Sequence, residues 1–169
     1  GDILTSTDRE YIRSVSGLHP YLAQSAAAML WDAHDEGLQG EELYRSASQN
    51  LHRQSRQHFA DTWNFWTNSM RKVVTAIALA QIPRLLTEHR FKVSELIEDL
   101  DDFGTELDTL KVSGTLAKNK SDEWIIAQDA LLWWLADELR RNVRDETAFG
   151  DWIRAQEMDN LFTKRDKER

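Results

Sequence analysis

The chain of 169 residues contains no cysteine, only two prolines and no long uninterrupted apolar run. Without cysteine, neither a disulfide nor a thiolate metal site can form, which fits a cytoplasmic protein. A helix that crosses a bilayer needs about 20 mostly apolar residues, and the sequence offers no such segment. We therefore expect a cytoplasmic protein without a membrane partner.

Positive charge is also scarce. Lysine and arginine together number 21 against 29 aspartates and glutamates, which gives a formal net charge of -8. This balance argues against broad attraction to nucleic acid or anionic lipid. Hydrophobic residues make up 41% of the chain, enough to bury a core at this length.

The few glycines and prolines, and the near absence of alternating apolar stretches, indicate a mainly helical protein. Thr7-x-x-Glu10 is the pattern of a capping box that opens a first helix, and Gly17 can end that helix in a left-handed conformation. Pro20 suits the first turn of a second helix, and a third is expected over about 41–66. The pattern predicts a small helical bundle over residues 1–66, with two helix ends facing each other across a tight corner.

A second module is predicted over residues 67–145. The pattern indicates, in order, a helix that Pro83 ends, a short strand, two helices that begin near Ser94 and Gly104, two strands, and a long helix. The short strand is expected at 91–93, the strand pair at 115–118 and 123–127, and the long helix at 128–143. This is the order of a winged helix. Residues 146–169 are expected to form a C-terminal helix to about Asn160 and a linker to a missing domain, so the predicted fold class is mainly α, a helical bundle followed by a winged-helix module with a small β-hairpin.

The corner at residues 16–24, Ser-Gly-Leu-His-Pro-Tyr-Leu-Ala-Gln, resembles the G-G-H-P-Y-L-x-Q corner of STAND-class P-loop ATPases. These are regulatory switch ATPases within the AAA+ group, and the corner lies in their helical lid, where its proline contacts the adenine ring. The resemblance implies that Pro20 takes this contact while Gly17 and His19 shape the turn. Leu18 stands where the family usually has a second glycine. The segment 151–157 and the following Leu-Phe-Thr-Lys at 161–164 also look like the connector after the winged helix in bacterial members.

The loop that holds nucleotide phosphates in such ATPases, G-x-x-x-x-G-K-[ST], is absent from the sequence. The resemblance implies a P-loop domain upstream in a larger parent protein, with ATP or ADP as the parent's ligand and no cofactor held by this chain alone. The glycine at position 1 and the helix start at 163–166, cut off by the end of the chain, predict an excised segment. By resemblance, the segment is a non-catalytic regulatory arm whose partners are the P-loop domain and the sensor or effector domains of the same parent.

Two alternatives stay open. The first is a DNA-binding regulator, but the helix expected to enter the major groove carries Glu106 and Asp108 against Lys111, and only Lys118 and Lys120 on the wing favour phosphate contact. We therefore do not expect nucleic acid as a partner. The second alternative is a protein-protein adaptor module that has no link to nucleotide.

Nothing in the sequence predicts a catalytic or metal site. The histidines lack a carboxylate or histidine at a spacing that metal sites use, and no nucleophile elbow is present. The seven tryptophans are expected to be mainly core anchors. We expect three of them on an apolar surface for a neighbouring domain: Trp31, Trp152 and one of the adjacent pair Trp133 and Trp134.

Overall fold

The computed structural model of the chain describes residues 4–81, 100–143 and 146–158. Seven α-helices, one short 3₁₀ helix and one pair of strands lie in this part of the chain. The elements in order are α1 (Ser6–Ser16), α2 (Pro20–Asp35), α3 (Gly40–Phe65), α4 (Asn68–Gln81), the 3₁₀ helix (Leu100–Phe103), α5 (Gly104–Val112), β1 (Leu116–Lys118), β2 (Trp124–Ile126), α6 (Asp129–Asn142) and α7 (Glu146–Ala155). The expectation of a mainly helical fold with a small hairpin is confirmed.

The two strands form an antiparallel pair in which Leu116 lies opposite Ile126 and Lys118 lies opposite Trp124. The Asn119 side chain accepts hydrogen bonds from the backbone N–H groups of Ser121 and Glu123, which fixes the turn between the strands. The strand expected at 91–93, the helix expected from Ser94 and the connector at 161–164 lie outside the described residues.

The start of α1 differs from the prediction. The capping box is formed by Thr5 and Asp8, not by Thr7 and Glu10, and each of the two side chains accepts a hydrogen bond from the backbone N–H of the other residue. Asp8 is buried because Tyr44 also donates a hydrogen bond to its carboxylate at 2.8 Å. A partner on α3 therefore decides which of two similar sequence patterns becomes the cap.

The end of α7 also differs from the prediction. The helix ends at Ala155 and not near Asn160, because Glu157 takes a left-handed conformation with φ of 59°. Met158 donates its backbone N–H to the carbonyl of Ile153 at 3.0 Å, and Glu157 donates to Arg154, which together form a Schellman motif. The apolar side chain of Met158 is buried there and supplies the contact that usually accompanies the motif.

The main core runs through both predicted modules. Helix α6 packs against α1 and α3 as well as α4, so one cluster of buried side chains extends on either side of residue 66. It is formed by residues such as Leu22, Phe59, Trp63, Ile77, Leu110, Leu116, Leu135 and Phe149. A smaller cluster joins α2 to the first half of α3 through Leu30, Ala33, Leu43 and Ala47. Since the helices of the bundle and the hairpin share apolar neighbours, displacement of one part must disturb the other.

Arg71, near the start of α4, ties three helix ends together. Its guanidinium donates hydrogen bonds to the carbonyls of Trp63 and Asn64 in the last turn of α3, and to the carbonyl of Gln156 after α7. The indole N–H of Trp63 donates to the side-chain oxygen of Gln156 at 2.7 Å. A cation here satisfies carbonyls that the helices leave unpaired and opposes the negative ends of their dipoles. The end of α7 is thereby fixed to α3.

Of the tryptophans expected at an apolar surface, Trp31 is 51% exposed, as predicted. The expectation is wrong for Trp152, which is only 7% exposed because α7 packs its ring 5.9 Å from that of Trp63. In the adjacent pair, Trp134 is buried against Trp63, and Trp133 is half-buried. Of the predicted surface tryptophans, Trp31 on α2 is therefore exposed to solvent, whereas Trp134 on α6 and Trp152 on α7 belong to the core.

Candidate functional site

Two consecutive residues in the corner between α1 and α2 have a left-handed backbone conformation. Gly17 has φ of 56° and Leu18 has φ of 63°. The Ser16 hydroxyl donates to the carbonyl of Ile12 and accepts from the backbone N–H of Leu18, while His19 donates its backbone N–H to the carbonyl of Ser16 at 3.0 Å. A left-handed leucine is strained, since its Cβ crowds the backbone in a way that glycine avoids. The corner therefore favours glycine at position 18.

The backbone of Gly17 packs against the base of the hairpin. A Cβ atom at this position would lie 2.8 Å from Cγ of Gln128, 2.9 Å from the carbonyl oxygen of Gly114 and 3.1 Å from that of Ala127. A Cβ atom at Gly114 would in turn lie 3.1 Å from the carbonyl oxygen of Gly17. The two glycines allow the corner to touch the point where α5 ends and α6 begins. Gly17 therefore acts as a packing and turn residue.

His19 and the next helix form an aromatic group with α3. The ring of His58 lies 5.3 Å from that of His19 and 4.7 Å from that of Tyr21. Burial lowers the pKa of His58 and the neighbouring His19 lowers it further, while Asp61 raises it in part. The Nδ1 atom of His19 is buried and has no hydrogen-bond partner among the described residues. The corner thus contacts α3 through the His58 ring, and the lowered pKa of His58 favours its neutral form.

The outer side of the corner is apolar and open. Pro20 is exposed, Leu18 is 67% exposed and Tyr21 is 41% exposed. Of the three predicted site residues, Pro20 faces outward, His19 is half-buried against α3, and Gly17 faces the hairpin. The arrangement offers a flat apolar edge with no charged side chain in positions 14–31. Such an edge suits contact with a planar ring.

His58 is a contact residue that the sequence pattern missed. It belongs to a polar run on α3, and only the fold brings it to the start of α2. His34 and His52 also gain partners from distant helices: His34 Nε2 lies 3.3 Å from the carboxylate of Asp8, and His52 Nε2 lies 3.5 Å from that of Asp137. Sequence spacing predicts contacts within one helix, so none of these pairs gave a signal.

Asp8 anchors the other end of the α1 and α2 pair. Burial of its carboxyl acts to raise its pKa, but hydrogen bonds from Tyr44, from the backbone of Thr5 and from His34 outweigh burial, and the pKa is lowered. The Tyr44 pKa is raised by burial and by the adjacent Asp8 carboxylate. Asp8 is therefore an ionised structural group that fixes α1 to α2 and α3.

A groove of about 340 Å³ lies elsewhere, between α3, α6 and the end of α7. Tryptophan edges line it together with charged groups of both signs: Arg56, Trp63, Trp134, Asp137, Glu138 and Arg141. Arg141 contacts the carboxylate of Asp137 at 2.8 Å, so its charge is compensated within the groove. None of the three residues predicted for the adenine site lies in it.

The β1 and β2 hairpin carries two lysines, Lys118 and Lys120. Lys118 Nζ lies 3.4 Å from the carboxylate of Asp122 and 4.9 Å from the centre of the Trp124 ring. Asp108 is exposed on α5, near Lys111 on the same helix. Lys118 would have to give up these contacts to bind a phosphate, whereas Lys120 is exposed in the turn between the strands.

Comparison of the chain with protein-family models, with curated proteins and with solved structures finds no match. Among the helices of residues 4–81, 100–143 and 146–158, none is both long and apolar enough to cross a bilayer.

Proposed function

We propose that the chain is the helical lid and winged-helix arm of a STAND-type signalling ATPase. The corner at Gly17, His19 and Pro20 closes on the adenine side of a nucleotide that a P-loop domain of the same parent protein holds. The rest of the chain passes the open or closed state to partner domains. The arm itself carries out no catalytic step.

The exposed apolar edge of the corner is the observation that carries this proposal. A nucleotide base presents a flat ring face, and Pro20 together with Tyr21 offers a flat apolar surface beside it. Phosphates require backbone N–H groups or cations, and no lysine or arginine lies between Arg13 and Arg45. The edge has no lysine or arginine of its own, and in this proposal the P-loop domain supplies the phosphate contacts.

The winged-helix interpretation of the second half rests on element order. Helix α5 packs against α4, the β1 and β2 hairpin follows α5, and α6 closes the unit. One further helix of the motif would fall in residues 82–99, which lie outside the described residues. The acidic α5 favours a winged helix that contacts protein domains over one that contacts DNA. Of the two lysines on the hairpin, Lys118 is paired with Asp122 and Lys120 is exposed.

A route for transmitting movement also supports the proposal. Gly17 touches the hairpin base and Gln128, the residue before α6, so displacement of the corner presses on α6. Helix α6 leads to α7, whose end is bonded to α3 through Arg71 and Gln156. Close-packed contacts of this kind move as a body and do not absorb displacement locally.

The test uses a polypeptide that joins this chain to the P-loop domain we propose precedes it. The affinity of a fluorescent ADP analogue is measured for the wild type, for Pro20→Ala and for Phe65→Ala, the last being a control at a side chain 88% exposed at the end of α3. Loss of the proline ring removes apolar contact with the base, and we expect Pro20→Ala to weaken binding by about tenfold. Phe65→Ala should leave the affinity unchanged.

Equal affinities of the folded wild type and Pro20→Ala would refute the lid role. An adaptor that works without nucleotide is the second candidate, favoured by the exposed Trp31 on α2. It predicts partner binding that does not change when ATP or ADP is added.

A further inference from the structure

Helix α2 has two apolar faces, and only one of them is covered. The covered face packs on α1 and α3 through Leu22, Ala26, Leu30 and Ala33. The second, which we call the outer face of α2, consists of Tyr21, Ala28 and Trp31, with Leu18 just before the helix. The exposed Gln24 shares this face, and one side of the Tyr21 ring contacts His58 on α3. Ala28 and Trp31 follow Tyr21 by seven and ten positions, which places the three within about 80° around the helix axis. Leu18, Tyr21, Ala28 and Trp31 are all exposed.

Trp31 is the anchor of this face. Its side chain is 51% exposed, whereas Trp63, Trp66, Trp134 and Trp152 are buried. An exposed indole in water is costly, and indoles of this kind are frequent centres of protein-protein contacts because they bury a large apolar area with little loss of side-chain freedom. The exposed position therefore indicates contact with another molecule.

Negative charge dominates the sequence between Trp31 and Arg45, which lies four positions after Glu41. Between Arg13 and Arg45 there is no lysine or arginine, and five carboxylates follow Trp31 closely in the sequence. These are Asp32, Asp35, Glu36, Glu41 and Glu42, all of them exposed. None of the five forms an ion pair within the described part of the chain.

Helix stability does not account for this arrangement. Asp32, Asp35 and Glu36 lie at the C-terminal end of α2, where the helix dipole is negative and cations are the favoured residues. Glu41 and Glu42 do suit the first turn of α3, but they add to the same negative region. Carboxylates placed against the dipole without a lysine or arginine nearby in the sequence favour a positively charged partner.

We propose that the outer face of α2 binds an amphipathic helix rich in lysine and arginine from a partner protein. The apolar side of that helix covers Tyr21, Ala28 and Trp31, and its cations lie against the five carboxylates. A lysine or arginine stem placed over the indole gains apolar contact and cation-π attraction together. The helical spacing of the exposed apolar residues fits a helix laid alongside α2. This inference does not require nucleotide binding, but the partner helix and the nucleotide base of the proposed function share Tyr21 and would compete for it.

The probe is a fluorescein-labelled 18-residue helical peptide built from leucine and lysine, with a leucine and glutamate peptide of the same pattern for comparison. Binding to the 169-residue chain is followed by fluorescence anisotropy at two salt concentrations. We expect the lysine peptide to bind and the glutamate peptide not to bind. The affinity of the lysine peptide should fall as salt is raised, because exposed charges are screened. Equal binding of both peptides, or binding of neither, would overturn the proposal.

The first pair of variants tests the apolar anchor. Trp31→Ala should weaken binding of the lysine peptide by about tenfold, whereas Phe65→Ala, which removes another highly exposed ring, should leave it unchanged. Both side chains are exposed, so circular dichroism and unfolding should match the wild type. An equal effect of the two substitutions would contradict a site at Trp31.

The second pair tests whether the charge is local. Each triple substitution removes three exposed carboxylates and leaves the same net charge. One is Asp32→Asn, Asp35→Asn and Glu36→Gln; the matched control is Asp101→Asn, Asp102→Asn and Asp108→Asn. We expect the first triple to weaken binding by at least about tenfold and the control to weaken it by less than about threefold. Equal losses would show attraction to the overall charge of -8 and would overturn the proposal.

Discussion

Replacing Gly17 by alanine tests whether the corner is packed against the hairpin. The added Cβ atom meets two obstacles. The residue has φ of 56°, which an L-residue with a side chain adopts only with strain, and the atom would lie 2.8 to 3.1 Å from Gln128, Gly114 and Ala127. Two of these contacts are with backbone carbonyl oxygens, which cannot rotate away as a side-chain end can.

The magnitude follows from these two contributions. A left-handed conformation costs a residue with a Cβ atom about 1–2 kcal/mol. Forcing an extra carbon into a packed site costs about 1–3 kcal/mol more. Gly17→Ala should therefore lower the free energy of unfolding by about 2–5 kcal/mol, a large part of the roughly 5–15 kcal/mol of an ordinary domain.

Two other glycines separate the contributions. Gly37 has φ of 81°, and a Cβ atom added to it would have no neighbour within 4 Å, so Gly37→Ala should cost only the conformational part, about 1–2 kcal/mol. Gly104 has neither a positive φ nor a close neighbour, and Gly104→Ala should be neutral or stabilising by up to about 1 kcal/mol. Urea unfolding followed by tryptophan fluorescence gives all three differences. If Gly17→Ala costs no more than Gly37→Ala, the reasoning on the packed corner is wrong.

Two further predictions concern the same pair of helices. Leu18→Gly should raise the free energy of unfolding by about 1 kcal/mol, since it removes left-handed strain from an exposed residue. Ala28→Gly, in the exposed middle of α2, should lower the free energy of unfolding by about 1 kcal/mol. Thermal unfolding of both variants checks the opposite signs, and a lower stability of Leu18→Gly than of the wild type would contradict the strain. Asp8→Asn should cost about 1–3 kcal/mol at neutral pH. The lowered pKa of Asp8 means that its carboxylate stabilises the fold above about pH 4 and that this contribution is lost as pH falls through the folded-state pKa. The difference in free energy of unfolding between wild type and Asp8→Asn, measured by urea titration, should therefore become smaller below about pH 4. A difference that does not change with pH would contradict the role of the ionised carboxylate.

The elements that the sequence predicted well are those set by neighbouring residues. Gly17 and Pro20 mark the end of one helix and the start of the next within four positions, and both signals act through the backbone of the residue itself. The hairpin likewise follows from apolar residues on either side of a turn that Asn119 stabilises. Such local preferences need no knowledge of the rest of the fold.

Features that depend on distant contacts were not predictable in this way. Thr5 and Asp8 replace Thr7 and Glu10 as the cap because Tyr44 reaches Asp8 from α3. Trp152 is buried because α7 folds back onto Trp63. In each case several local arrangements have similar energies, and long-range packing selects one of them.

The candidate site likewise has features that the sequence predicts and features that depend on distant contacts. Its turn geometry was evident from Gly17 and Pro20, and Leu18 adds a second left-handed residue directly after Gly17. The contact of His58 with the corner could not be predicted from the sequence, because the ring reaches the corner from α3 and the residues around His58 give no signal of it. The exposed apolar edge at Pro20 and Tyr21 is likewise a property of the packing of α2 on α3.

The most direct measurement of the central claim is photolabelling with an azido-ADP in which the azide is on the adenine ring. The target is the polypeptide that carries this chain together with its proposed P-loop domain. No lysine or arginine lies between Arg13 and Arg45, so trypsin releases residues 14–45 as one peptide that contains the whole corner and α2. We expect the label on this peptide, and excess ADP should protect it. Bound nucleotide that labels only other peptides would contradict the placement of the base against Pro20.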